Sequence, residues 1–150
     1  MGAKEGIMKQ ATAFVLFCSI CAAGISQAAE SSAKPAQADE THQIVVAPDG
    51  VQHVSVVGGN YFFRPNHVIV RLNVPVEFDV ALEKGTVPHS LVIEAPEAGI
   101  HVDEKLSSEV KKIRFTPTAT GKYPFYCKNK LLFFKSHRDK GMQGVLEVVK

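Results

Sequence analysis

The chain has 150 residues, enough for one domain with a substantial core. Its 17 basic and 15 acidic side chains leave a formal net charge of +2, so bulk charge gives no case for a nucleic-acid partner. Charge is instead unevenly spread: residues 77–109 hold eight acidic side chains against Lys84 and Lys105, and residues 122–142 hold six basic ones against Asp139 alone.

Residues 1–28 predict a Sec-type signal peptide. Lys4 and Lys9 make a basic start, residues 11–25 form an apolar run, and Ser26-Gln27-Ala28 supplies small residues for cleavage. The run is short for a membrane span, so the mature protein is expected to be periplasmic with no membrane insertion. Cleavage removes Cys18, Cys21, Met1 and Met8 and lowers the net charge by one, leaving Cys127 and Met142 as the single Cys and Met. A lone thiol in an oxidising compartment is a liability unless it is buried or bound to a metal. Residues 29–42, rich in Ala, Ser, Lys, Pro and Gln without an apolar period, read as a flexible tether.

From residue 43 to residue 150 the pattern is β. A short strand over 43–46 ends at the turn Pro48-Asp49-Gly50, and 52–57 alternates before Gly58-Gly59. Residues 61–63 and 68–72 flank Arg64-Pro65-Asn66. In 76–82, Val76, Phe78, Val80 and Leu82 alternate with Glu77 and Asp79, as in a half-buried strand. A strand over 91–93 follows His89, and the polar stretch 97–109 reads as a loop or short helix. Strands over 110–116, 121–127 and 144–149 complete the domain, with Tyr123, Phe125 and Cys127 on one face. Seven or eight short strands broken by Gly, Pro and Asn predict an all-β antiparallel sandwich or barrel.

The chemistry concentrates near the end. Cys127, His137 and Met142 share one loop, and His89 in Val87-Pro88-His89-Ser90 stands at another strand end. A thiolate, two imidazoles and a thioether form the donor set of a blue-copper electron-transfer site. After cleavage no Cys pair remains for a structural zinc site. The implied cofactor is one copper ion cycling between Cu(I) and Cu(II).

These residues resemble the cupredoxins, the blue-copper family of plastocyanin and azurin. The resemblance is carried by Tyr61-Phe62-Phe63-Arg64-Pro65, Val68-Ile69-Val70, Val76-Glu77-Phe78, Pro88-His89-Ser90, residues 121–127, His137 and Met142-Gln143-Gly144-Val145-Leu146. It implies a Greek-key β-sandwich, with His89 and His137 as equatorial ligands, Cys127 as thiolate and Met142 as axial ligand. It also implies a monomeric carrier of single electrons, not an enzyme, with His137 as the electron's exit. Two departures stand out. Nine residues separate Cys127 from His137 where the family usually has two to four, a spacing nearer to copper nitrite reductases. Ser90 also stands where relatives often have Asn.

Two rivals remain open: a periplasmic carrier or buffer of copper, and a nitrite reductase fragment, for whose second domain and His-rich site the chain has no room. His53, His67 and His101 read as surface histidines. Leu131 to Phe134, ringed by Lys, reads either as a cap on the copper end or as an apolar patch within loop 128–140 that docks a redox partner.

Overall fold

The computed structural model describes residues 40–85 and 87–150. The expected signal peptide and most of the expected tether lie outside the described residues.

Two sheets face each other. The first has the order β1-β4-β10-β9-β6-β7 and the second β3-β2-β5-β8. The strands are β1 (Thr41–Gln43), β2 (Gln52–Gly59), β3 (Phe62–Arg64), β4 (His67–Arg71), β5 (Val76–Leu82), β6 (His89–Ala95), β7 (Ile100–Leu106), β8 (Lys111–Phe115), β9 (Gly121–Tyr126) and β10 (Gln143–Val149). The described residues thus hold ten strands where seven or eight are expected. β1 and β3 answer to the expected segments 43–46 and 61–63, with β1 beginning two residues early, and the strand with no expected counterpart is β7.

The sheets are mixed, not purely antiparallel. Strands β1 and β4, β4 and β10, and β2 and β5 run parallel. The chain crosses between sheets before β2, β4, β5, β6, β8 and β9, so sequential strands often do not pair. Alternation sets the core: in β2, Gln52, Val54 and Val56 face inward while His53, Ser55 and Val57 face out. Phe63, Phe78 and Phe125 form its centre, with Phe125 edge-on to Phe63 at 5.5 Å and to Phe78 at 6.4 Å. Such ring pairs add about 0.5–1.5 kcal/mol each beyond the area they bury.

Two local expectations change. The acidic stretch after β6 is a strand, β7, which pairs along the full length of β6. Ile100, Val102 and Leu106 point inward, and the charges between them conceal that alternation. Glu77 is buried at 2% exposure although it stands on the outward side of β5. Lys112 Nζ donates to it at 2.7 Å and Arg114 also pairs with it, holding its carboxyl below the usual range. Gln52, fully buried, receives the Arg71 N–H at 2.6 Å and donates to the carbonyls of Arg71 and Val74 at 3.2 Å. That clasp joins the start of β2 to the end of β4. Among the described residues no helix is long and apolar enough to cross a membrane.

Candidate metal centre

The site forms where β6 begins and β9 ends. Strands β6 and β9 are neighbours, with Val92 opposite Tyr126 and Ile93 opposite Phe125. That register brings His89, at the first position of β6, beside Cys127, just past the end of β9. The loop after Cys127 then returns to β10 through His137 and Met142.

Main-chain bonds shape this loop. The His137 N–H donates to the Asn129 carbonyl at 2.9 Å, closing the excursion between them. The Met142 N–H donates to the His137 carbonyl at 2.9 Å, and the Cys127 N–H donates to the Met142 carbonyl at 3.0 Å. Ser136 and Asp139 brace the turn that carries His137: the Ser136 hydroxyl donates to Asp139 Oδ2 at 2.6 Å, and the Asp139 N–H returns to Ser136 Oγ at 3.1 Å.

Three donor atoms converge. Cys127 Sγ lies 3.5 Å from His137 Nδ1 and 3.9 Å from His89 Nδ1, and the two Nδ1 atoms are 3.0 Å apart. A trigonal set with bonds of about 2.0 Å to nitrogen and 2.3 Å to sulfur has edges of about 3.5–3.7 Å. The two sulfur edges match within a few tenths of an ångström, and the His–His edge opens by about half an ångström to reach that range. All three residues are buried; Met142 is also buried, and main-chain hydrogen bonds tie it to His137 and Cys127. A soft thiolate and two imidazoles in this arrangement fit one copper ion. Burial holds both imidazoles below their ordinary pKa. At His89 the charge of His137 adds to the effect, and at His137 that of Lys140. Both rings therefore favour the neutral form that a metal requires.

Further residues complete the surroundings. The Ser90 N–H points at Cys127 Sγ at 3.3 Å. Ser90 Oγ accepts the Lys128 N–H at 3.1 Å and donates to Asn129 Oδ1 at 2.7 Å. Ser90 thus ties the His89 strand to the Cys127 loop. Tyr61 stands edge-on over His137 at 4.9 Å, and Lys140 lies over the Tyr61 ring at 4.2 Å. His137 is consequently buried at 3% exposure, although it is the residue expected to be the electron's exit. Sequence reasoning missed Tyr61 and Asn129. The signal for Tyr61 is its place after Gly58-Gly59-Asn60 with a φ of 65°, a left-handed turn that aims the ring across the site.

His53, His67 and His101 stay apart from the cluster. Each faces a carboxylate instead: His53 meets Asp49, His67 meets Glu147 and His101 meets Glu94, at 2.8–2.9 Å.

No family model matches the sequence, and no curated protein matches it significantly. Solved structures do match. The metal binding domain of the Cu(I) exporting P-type ATPase CopA of Streptococcus pneumoniae D39, solved with Cu(I), aligns with a TM-score of 0.57 at 22% identity. The match covers 76% of this chain and all of that one. An apo copper binding protein solved by NMR aligns with a TM-score of 0.53 at 17% identity, over 74% of this chain and 99% of that one. A multicopper oxidase aligns with a TM-score of 0.56 at 14% identity, over 73% of this chain and 47% of the oxidase. The fold is that of a cupredoxin. At these identities the cupredoxin likeness is one of fold, and the reading of the metal centre rests on the residues that line it.

Proposed function

We propose that the chain is a mononuclear type 1 copper protein that carries single electrons between redox partners. It would be exported by its signal peptide and work in the periplasm. The observation behind this reading is the buried triangle of Cys127 Sγ, His89 Nδ1 and His137 Nδ1. Bound copper would supply a one-electron couple held by a thiolate and two imidazoles.

The chain's own residues suit that task. The Ser90 N–H stands where it stabilises a thiolate at Cys127. The main-chain bonds linking Asn129, His137, Met142 and Cys127 hold the donors in place before a metal arrives. A pre-set site moves little when its charge changes, which favours fast electron exchange. Tyr61 and Lys140 cover His137 and exclude water. A second reading, a carrier or buffer of copper, draws on two structural neighbours, a copper exporter's metal binding domain and a copper binding protein.

Copper titration with visible spectroscopy tests the proposal. One copper per chain with an intense thiolate-to-copper band is expected, and Cys127→Ser should abolish the band. A band that survived the substitution would remove Cys127 from the ligand set. Fast self-exchange with slow loss of copper to chelators favours electron transfer, and the reverse favours copper handling.

A further inference from the structure

Leu131, Leu132, Phe133 and Phe134 do not cap the core. They are 54%, 75%, 100% and 61% exposed, whereas the other large exposed apolar side chains among the described residues, Val45, Val57 and Val110, are scattered. The Phe134 N–H donates to the Leu131 carbonyl at 2.9 Å, so the four residues form one tight turn at the loop's tip. Leu132 holds a φ of 43°, a left-handed conformation that glycine or asparagine adopts more readily. Neither the turn nor the core gains from an apolar side chain there, so the feature points to something outside the chain.

Charge narrows the choice. Lys130 and Lys135 directly flank the four apolar residues, and both are exposed. Neither forms an ion pair among the described residues. Asp139, the one acid of the 128–142 loop, is bonded to Ser136 and offsets only part of the charge of the two lysines that act on it. The result is a convex apolar tip with a cationic collar. A protein partner would need a pocket to receive four adjacent large side chains, whereas a bilayer needs none. Leu and Phe enter the acyl boundary while lysine stems reach back to the phosphates.

We propose that the 131–134 turn inserts into the surface of an anionic phospholipid bilayer, with Lys130 and Lys135 at the headgroups. This would set the His137 end of the domain against the membrane. The inference does not rest on the copper reading and holds for the metal-free protein as well.

The chain contains no Trp, so Phe133→Trp in the full chain makes a position-specific reporter. Vesicles with three parts phosphatidylglycerol to seven parts phosphatidylcholine should shift the indole emission to the blue and shield it from an aqueous quencher. A second reporter, Val110→Trp, at an exposed site away from the tip, separates burial of the tip from any membrane affinity of residues 1–39. A lysine near an anionic surface contributes about fivefold in affinity. Adding Lys130→Gln and Lys135→Gln should therefore weaken binding about 25-fold. The proposal is overturned if vesicles leave the emission unchanged, and the tip is then a protein-docking element if a purified acidic redox protein shifts it. Equal shifts with pure phosphatidylcholine would overturn the anionic requirement.

Discussion

Gly144 tests how tightly the metal end of the sandwich is packed. It lies opposite Phe125 in the β9–β10 register, two residues after Met142. A Cβ built there would lie 2.2 Å from Phe125 Cζ, 2.6 Å from Phe125 Cε2 and 2.5 Å from the Asn66 carbonyl oxygen. Ordinary contact distances exceed these by about an ångström. Phe125 has no room to retreat, because it is fully buried against Phe63 and Phe78. The Asn66 carbonyl is also held, accepting the Val145 N–H at 2.8 Å. Overpacking a tight core costs about 1–3 kcal/mol, and a site blocked on two sides belongs at the upper end. A domain of this size loses about 4 °C of melting temperature per kcal/mol, so Gly144→Ala should melt about 12 °C lower. Thermal unfolding of the metal-free protein by circular dichroism measures this directly. Gly85→Ala is the control, since a Cβ there meets nothing closer than 3.8 Å. A Gly144→Ala melting temperature within about 2 °C of the parent's would refute the packing argument.

Three more outcomes are expected. Met142→Gln should keep copper but lower its reduction potential, because the axial ligand tunes blue-copper centres; an unchanged potential in cyclic voltammetry would mean that Met142 is not axial. Ser90→Ala strands the Lys128 N–H and takes the hydroxyl donor from the side-chain Oδ1 of Asn129 but leaves the backbone donor to Cys127, so denaturant titration should show a loss of about 1–3 kcal/mol while the visible band persists. The metal-free protein should lose stability as pH falls below about 6.5. His89 and His137 are depressed in the folded state, so the unfolded chain binds more protons in that window, and their contribution, full above the unfolded pKa, is lost as pH drops through the folded values. Urea midpoints at pH 7.5 and pH 5 should therefore differ more in the parent than in a His89→Gln, His137→Gln double variant.

The sequence shows most clearly what is local. Cys127, His137 and Met142 fall on one continuous loop, so residue type and order expose them, and His89 is marked by its place at the start of a strand. The alternation in β2 and β9 likewise marks the core face before any pairing is known. What depends on pairing between distant strands is hidden. Tyr61 reaches His137 across 76 positions, and Gln52 clasps the end of β4 through contacts that no periodicity announces. Glu77 reads as a solvent-facing residue because Lys112 and Arg114, which cover it, come from a strand more than thirty residues away. The parallel pairs follow from crossovers between the sheets, and alternation within a strand carries no direction. In β7 the inward residues are present, but charged neighbours mask them.

The bond from His137 N–H to the Asn129 carbonyl alters what loop length means here. It brings positions 129 and 137 together at the base of an omega-shaped excursion, so residues 130–136 hang outside the path that connects the donors. A count of nine between Cys127 and His137 therefore overstates the separation that the metal end experiences. The excursion is a cassette: its tip could be shortened, lengthened or exchanged while the staple at its neck holds His137 in register with Cys127. Spacing rules that search for a Cys and His pair at fixed separation would overlook chains built this way, whereas a search keyed to the neck would find them.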